Sequence, residues 1–386
     1  PGKSLDAIVD WARRHGMPDP GELRFSARET IERIARAYDN DLWDDQEGWW
    51  FQQKHLAPPY VATRGRELGL PDDLAASLEA KAQWMREQGK LPPLDLSCRP
   101  GHYAHVQDGD TCVELAEAVL PLQREDGSFG YDPDGRHKTY FSGAAGLWRP
   151  LGQPGDTALE MNTAPARVLL RAAEHSGEAK YREAGKRALE FARRYVGSRP
   201  EGGDWWETPL HGANILAAGH AVIAYLLGHR VFGDEDYRNI ARYWLRCFLP
   251  FTHFWSPPER EKLYNTHPAF CETAWFLSDW SYKDVQWAVL TTFAYLIEYD
   301  LPWHDLDPEL DWETYQRGVV TAALRWMVDH DDPEWRHKSE FSANMEGQIA
   351  GALADTYNAV TGTYGGGPVN SNSLVPNLAY HNRNSR

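Results

Sequence analysis

Of all the segments in this chain, the stretch from Glu201 to Gly228 places the strongest limit on the possible folds. It joins a polar aromatic loop to a helix with no polar face. The loop carries two adjacent indoles, a carboxylate and an imidazole: Trp205, Trp206, Glu207 and His211. Pro209 suits the first turn of the helix, where its missing N–H leaves no helical bond unmade. From Gly212 onward the residues are apolar or small on every side, and such a helix is buried all round. The stretch predicts a buried helix over 210–228, entered through a loop that lines a pocket.

The same order of loop, apolar helix and amphipathic helix recurs along the chain. Apolar helices are predicted near 58–69, 111–122, 156–175, 210–228, 284–299 and 343–361, and amphipathic helices at 26–38, 72–89, 178–196, 235–249 and 311–329. Repeated helical hairpins must stack to bury each other's apolar faces. With the apolar helices inside and the amphipathic helices outside, the pattern predicts an all-α fold, an (α/α)6 barrel. We expect one domain over residues 1–386, with an irregular tail at 362–386 that is rich in Gly, Asn and Ser.

The connections between these helices differ in length. Segments that lead into the apolar helices are long and aromatic, whereas most of those that leave them are short, such as Ser176-Gly177. Long loops in compact domains are usually functional. In a double ring they would all meet at one mouth, at the N-terminal ends of the inner helices.

Composition and net charge restrict the classes of molecule that this protein is expected to bind. The formal net charge of −16 disfavours nucleic acid, since phosphate backbones are bound by clustered Lys and Arg. No apolar run approaches the roughly 20 residues that span a bilayer, so no membrane partner is expected. The four cysteines form no CxxC pair, and we expect neither a metal nor a cofactor. Oligomeric state stays open, as does compartment: the cytoplasm, or the periplasm or exterior if a signal peptide was removed.

The sequence QREDGSFG at Gln123–Gly130, placed at the end of a helix within this alternation, resembles the α/α-toroid enzymes. One branch comprises carbohydrate-active enzymes of the six-hairpin barrel type, glycoside hydrolases and polysaccharide lyases, which bind sugars at the mouth. Triterpene cyclases and prenyltransferases carry a similar element between helices. The DxDD motif of the cyclases is absent, and DLDPELD at 305–311 does not supply it. The WxDD motif of unsaturated glucuronyl hydrolases is absent too. The resemblance implies a fold and a carbohydrate substrate, without naming catalytic residues.

Hydrolysis of a glycoside uses two carboxyl groups, one protonated and one ionised. Glu207 is the predicted acid, because the neighbouring indoles would desolvate its carboxyl group and raise its pKa. Its predicted partner is Glu272, with three alternatives: Asp279, Asp284 and Glu346. In the competing interpretation, Glu207 is a first-turn carboxylate stabilised by the helix dipole.

A lyase would instead need a base at the sugar C5 position. His211 is the predicted base; Asn214, three residues on, shares its helix face, and Tyr140 or Tyr103 would assist. In the competing interpretation, His211 is structural and satisfied by a backbone carbonyl. His220, deep in the apolar helix, is predicted to be a core residue.

Further side chains are predicted to bind the substrate, because indole and phenol rings match the C–H faces of pyranoses and polar groups hold the hydroxyls. They are Trp49, Trp50, His105, Tyr140, Asn162, Trp205, Trp206, Asn214, Asp279, Trp280, Asp284 and Glu346. In the competing interpretation, the paired indoles are core residues. We expect the aromatic members to share one concave mouth with Glu207 and His211.

The sequence thus predicts a glycoside hydrolase that acts on an oligo- or polysaccharide. A uronic-acid-containing glycan is a candidate substrate on the ground of fold resemblance alone. A polysaccharide lyase is the first alternative. A toroid that cyclises an isoprenoid and a non-catalytic scaffold follow, although the abundance of His, Asp and Glu in the loops favours sugars.

Overall fold

The computed structural model describes residues 2–23, 25–41, 43–49, 57–90, 109–131, 153, 155–202, 211–258, 261–267, 286–325 and 371–384. Within these residues the chain is mainly helical. The helices are α1 (Gly2–His15), α2 (Ala27–Arg36), α3 (Ala57–Arg64), α4 (Asp72–Glu87), α5 (Gly109–Val119), α6 (Leu159–Ser176), α7 (Ala179–Ala192), α8 (Ile215–Phe232), α9 (Glu235–Arg246), α10 (Trp287–Glu298), α11 (Trp312–Leu324) and α12 (Ser371–Asn384). Two short strands, β1 (Trp43–Asp44) and β2 (Gly48–Trp49), pair in antiparallel register.

The helices pack as consecutive hairpins around an inner layer. Pairs α3–α4, α6–α7 and α8–α9 are in direct contact, and the inner helices α5, α6, α8 and α10 contact one another in that order. One hydrophobic cluster includes buried residues from Leu5 in α1 to Leu378 in α12. This alternation of inner and outer helices confirms the predicted all-α toroid.

Burial separates inner from outer helices as the pattern predicts. Every residue of α8 from Ile215 to Gly228 is buried. Arg187 and Arg194, on and just after the outer helix α7, are exposed. By length and hydropathy alone α8 could cross a membrane, but 78% of it is buried inside the protein, as in a core helix.

Helix α8 begins later than predicted, at Ile215 instead of residue 210. Asn214 is its N-cap, with an extended backbone and a side-chain Oδ1 that accepts a hydrogen bond from the Leu216 N–H at 2.7 Å. An Asn side chain satisfies an amide that the helix itself leaves unbonded, so it sets the start of the helix. Residues 203–210, which include Pro209, lie outside the described residues.

Helix α11 was predicted to lie on the outside, yet it is buried at every position from Gly318 to Leu324. The segment around Tyr264 covers it: a Cβ at Gly318 would lie 2.4 Å from the Tyr264 ring. The Tyr264 hydroxyl in turn donates to the Pro18 carbonyl at 2.6 Å, which brings the N-terminal segment over the same face. The amphipathic pattern of this helix did not predict that these two segments would bury it.

The tail predicted to be irregular contains α12. Leu374, Val375 and Leu378 are fully buried. The buried Asn377 amide donates to the Leu290 carbonyl at 3.0 Å and accepts from Gln316 at 2.6 Å. Because α12 contacts α10 and also α2 and α3, the end of the chain lies beside its beginning. Burial of this apolar face outweighs the weak helix propensity of its Ser and Asn residues.

The QREDGSFG sequence has a structural role here. The Gln123 side-chain amide donates to the carbonyls of Gly127 at 3.0 Å and Ala184 at 2.9 Å, and its oxygen accepts from Arg187 at 2.6 Å. These bonds fasten the turn that follows the inner helix α5 to the outer helix α7. The motif therefore acts as a clamp between the two layers.

Candidate active site at the mouth of the barrel

The starts of α6 and α8 lie next to each other, beside the two ends of the 200–214 loop that the structure describes. Glu201 and Ala213 form an isolated antiparallel bridge, and the Glu160 N–H donates to the Glu201 carbonyl at 3.1 Å. Gly202 has a φ of +99°, and a Cβ there would lie 3.4 Å from the Glu160 Cβ. Glycine lets the loop pass this close over the first turn of α6.

Four charged or titratable side chains form what we name the rim cluster: Asp156, Arg199, Glu201 and His211. His211 Nδ1 lies 3.1 Å from Glu201 Oε2, and its Nε2 lies 3.6 Å from Asp156 Oδ2. Arg199 Nε donates to the other oxygen of Glu201 at 2.8 Å. The His211 side chain is 52% exposed, so the cluster is open to a ligand from solvent.

The rim cluster gives the predicted catalytic residue His211 a defined orientation. Contact of Nδ1 with the Glu201 carboxylate fixes the plane of the imidazole ring and turns Nε2 toward Asp156, so the ring is held between two carboxylates. The partners of the ring in the described residues are carboxylates, not the backbone carbonyl of the competing interpretation. His211 can therefore take part in acid–base chemistry.

Beneath the rim lie Glu160 and His220, here named the buried pair. Glu160 is in the first turn of α6, with 11% of its side chain exposed, and its Oε1 lies 3.6 Å from His220 Nε2. Burial lowers the pKa of His220 well below 6.5, and the charge of Arg167 lowers it further, so the imidazole is neutral at pH 7. His220 is buried as predicted, but it faces a carboxyl group.

Polar groups continue further into the barrel. Arg167, on α6, is fully buried, and its guanidinium carbon lies 4.2 Å from the centroid of the Tyr295 ring on α10. That ring lies 6.4 Å from the His220 ring on α8. Burying a guanidinium is costly unless polar or aromatic groups compensate it. The interior between these three helices is thus more polar than a purely apolar inner layer.

Asn162, a predicted substrate-binding residue, is structural. Its side chain is fully buried. The oxygen accepts from the Phe129 N–H at 3.0 Å, and the amide donates to Thr157 at 2.8 Å and to the Ala158 carbonyl at 2.7 Å. These bonds hold the turn after α5 against the start of α6, which leaves no face of Asn162 for a sugar.

Trp49, also a predicted substrate-binding residue, is instead a core residue, as the competing interpretation has it. It is fully buried, and its indole N–H donates to the Tyr38 carbonyl at 2.9 Å. Its ring packs edge-on against Trp43 at 5.5 Å, and Trp43 packs against Trp84 of α4 at 5.4 Å. The hairpin β1–β2 turns this indole inward, where no pyranose can stack on it.

Asn214 is the fourth predicted site residue that the structure describes. Its oxygen caps α8, and its fully buried amide nitrogen has no hydrogen-bond partner among the described residues. The other predicted site residues lie outside the described ranges and stay predictions: Trp50, His105, Tyr140, Trp205, Trp206, Glu207, Glu272, Asp279, Trp280, Asp284 and Glu346.

The structure adds Asp156 and Glu201 to the site residues proposed from sequence. An acidic residue in the first turn of a mostly apolar helix is the sequence signal that places Glu160 at the mouth. In the part of the chain that the structure describes, no group of three or more His, Cys, Asp or Glu side chains could hold a metal ion.

No protein-family model matches the chain, and no curated protein matches it. Among solved structures it is similar to an unsaturated glucuronyl hydrolase from Streptococcus agalactiae, with a TM-score of 0.53 and 10% identity over 96% of each chain. It is also similar to an unsaturated glucuronyl hydrolase from Bacillus sp. GL1 (TM-score 0.45, 13% identity, 92% of this chain and 93% of that one). A family 76 glycoside hydrolase from a bovine Bacteroides thetaiotaomicron strain has a TM-score of 0.47 and 11% identity, over 94% of this chain and 79% of that one.

The fold is the α/α toroid. At 10% identity the match with the Streptococcus agalactiae structure covers nearly all of both chains, and it carries this conclusion about the fold. The predicted resemblance to α/α-toroid carbohydrate-active enzymes is confirmed at that level.

Proposed function

We propose that the protein is a glycoside hydrolase that acts on an oligo- or polysaccharide. The observation that carries the proposal is the convergence of three carboxyl groups, Asp156, Glu160 and Glu201, on the starts of α6 and α8. Glycoside hydrolysis needs at least two such groups on either side of the scissile bond, one to donate and one to accept a proton. Glu207 and Glu272 remain predicted members of the same site.

The carboxyl groups lie in different environments, and hydrolases separate an acid from a base in this way. Glu201 contacts the guanidinium of Arg199 and the imidazole of His211. Glu160 is largely buried beneath the rim, beside a neutral imidazole. One fold thus places a carboxylate bound by Arg199 and a largely buried carboxyl group at the same mouth.

A uronic-acid-containing glycan is the first substrate class to test. The solved structure from Streptococcus agalactiae is that of an unsaturated glucuronyl hydrolase, and its fold supports a search among such sugars. The absence of the WxDD motif from this chain indicates that its catalytic residues differ from those of that enzyme class. Neutral oligosaccharides therefore belong in the same panel.

A polysaccharide lyase is the second candidate, because His211 is oriented by Glu201 as a base would be. In β-elimination the base removes the C5 proton of a uronate, and the bond to the departing oxygen breaks with formation of a double bond. Within the described residues we find no feature that favours an isoprenoid cyclase, since the QREDGSFG element is a clamp and the rim is charged.

Activity on glycans tests the proposal. The full chain is incubated with neutral and uronic-acid-containing oligosaccharides in ¹⁸O-labelled water, and products are followed by reducing-end assay, mass spectrometry and absorbance. We expect new reducing ends that carry the label. A rise at roughly 235 nm, without incorporation of water, would show elimination in place of hydrolysis. Failure to cleave any glycan of the panel would overturn the proposal.

A further inference from the structure

We propose that Arg199 selects anionic sugars and binds the carboxylate of a uronic acid at the rim of the barrel. This inference rests on the proposed hydrolase function, and it assigns the recognition of one substrate class to a named residue of the same site. Arg199 was not among the site residues predicted from sequence. Its position, its hydrogen bonds and the charges around it each support the role.

Arg199 lies at the N-terminal ends of two inner helices. The carbonyl of its neighbour Pro200 accepts from the N–H of Asn214, the N-cap of α8. The carbonyl of Glu201 accepts from the N–H of Glu160 in the first turn of α6. The backbone beside Arg199 is thus fastened to the starts of both helices. Since 60% of the Arg199 side chain is exposed, a glycan can reach it at the rim without entering the barrel.

The Arg199 guanidinium is held in place, but its donors are not all used. Nε donates to Oε1 of Glu201 at 2.8 Å, and Nη2 donates to the His211 carbonyl at 3.4 Å. Within the described residues these are its two hydrogen bonds, so Nη1 and one N–H of Nη2 remain available. Nη1 and Nη2 lie side by side in one plane, and they can form two parallel hydrogen bonds with a carboxylate. A guanidinium that is already oriented loses less conformational entropy when it binds.

The surrounding charges make uronate binding depend on Arg199. The rim cluster also contains the carboxylates of Asp156 and Glu201, with the imidazole of His211 between them. From Pro200 to His229 the sequence contains no Lys or Arg. Because like charges repel, a rim without the Arg199 guanidinium would repel a sugar carboxylate but not a neutral sugar. Arg199 therefore separates these two classes of substrate at the rim.

Matched substrates test the assignment. Each uronic-acid-containing oligosaccharide of the panel is compared with its carboxyl-reduced form, in which a neutral hexose replaces the uronate. A sulfated neutral oligosaccharide is included, because a sulfate ester can bind the same two nitrogens. The measured quantity is the selectivity ratio, defined as kcat/KM on the uronate divided by kcat/KM on its carboxyl-reduced form.

We expect the wild type to prefer the uronate, and the selectivity ratio to fall about tenfold or more in Arg199→Gln. Arg199→Lys should lose part of the ratio, because it keeps the charge but not the planar pair of donors. Salt should raise the wild-type KM more on the uronate than on the reduced form, since it screens an exposed ion pair. Arg182→Gln is the matched control and should keep the wild-type ratio. It removes an exposed guanidinium that packs over Phe232, at the far end of α8.

The outcomes separate the inference from the function on which it rests. Equal cleavage of a uronate and its reduced form by the wild type, or a preference for the sulfated glycan, overturns the role of Arg199 and leaves the hydrolase standing. An unchanged ratio in Arg199→Gln does the same. Absence of cleavage by the wild type overturns both.

Two further results are also decisive. An unsaturated product would overturn the hydrolase, and the dissociation constants of the two glycans, compared between the wild type and Arg199→Gln, would then decide the role of Arg199. If Arg199→Gln does not fold, Arg199→Lys replaces it. Without a lower ratio in Arg199→Lys, the inference is wrong.

Discussion

His211 Nδ1 lies 3.1 Å from Oε2 of Glu201, ten residues earlier in the chain, and the bridge between Glu201 and Ala213 holds the two residues together. The carboxylate also binds Arg199 at 2.8 Å, so its orientation is fixed from two sides. An imidazole held in this way can serve as a base or as a support for its carboxylate. The two proposed reaction classes use it differently.

His211→Ala distinguishes these roles. In the hydrolase, the imidazole supports the rim carboxylates, and we expect kcat/KM to fall less than about tenfold, below the contribution of a general base. His304→Ala is the matched control: this half-exposed imidazole lies 3.2 Å from Asp305 at the opposite end of the barrel. A loss above about 10²-fold in His211→Ala alone, together with an unsaturated product, would favour the lyase.

The fold was largely predictable from sequence because burial follows from helical periodicity. The all-round apolar pattern of 215–228 and the one-sided pattern of 178–196 predicted which helix lies inside, and both predictions hold. At the C-terminus the prediction from composition was wrong. The Ser and Asn residues indicated irregular chain, although Leu374 and Leu378 share a buried helix face. Helix α1 was also not predicted.

The site was less predictable because its contacts are between distant residues. Glu160 and His220 belong to different helices, and no local pattern pairs them. Trp49 was predicted to face the pocket, but the turn geometry of a short hairpin points its indole into the core. Residue type indicated an acidic, aromatic mouth, whereas orientation depends on packing that the sequence does not show.

Gln123→Ala should destabilise the fold without changing catalysis. The variant leaves the Gly127 and Ala184 carbonyls and Arg187 without their shared partner, at a cost of about 1–3 kcal/mol. Denaturant unfolding measures this loss, with Gln83→Ala, an exposed glutamine on α4, as the control. A change in kcat/KM with unchanged stability would contradict the role of Gln123 as a clamp.

Leu378→Ala tests whether α12 is part of the core. Leu378 is fully buried where α12 contacts the rest of the chain, and truncation of such a side chain typically costs about 2–5 kcal/mol. Arg383→Ala, an exposed position on the same helix, should stay within about 0.5 kcal/mol of the wild type. Equal stabilities of the two variants in denaturant unfolding would show that α12 does not hold the barrel together.

Stability should fall as the pH drops below about 6.5, the pKa of an unperturbed histidine. Burial lowers the pKa of His220 well below that value in the folded protein, and Arg167 adds to the effect. Burial, with a smaller contribution from Arg317, also lowers the pKa of His381, to about 4. Between the folded and unfolded pKa values, the unfolded chain binds protons that the folded chain does not.

Each such histidine therefore removes about 1.4 kcal/mol of unfolding free energy for every pH unit below about 6.5, and none well above it. Denaturant unfolding at pH 5.0, 6.0 and 7.5 measures this slope. The variant His220→Gln should show a smaller difference between pH 7.5 and 5.0 than the wild type, because glutamine does not titrate. The matched variant His15→Gln, which removes an exposed histidine of α1, should keep the wild-type slope. An unchanged slope in His220→Gln would mean that His220 is already protonated in the folded protein at pH 5, and the neutral imidazole beside Glu160 would be ruled out at that pH.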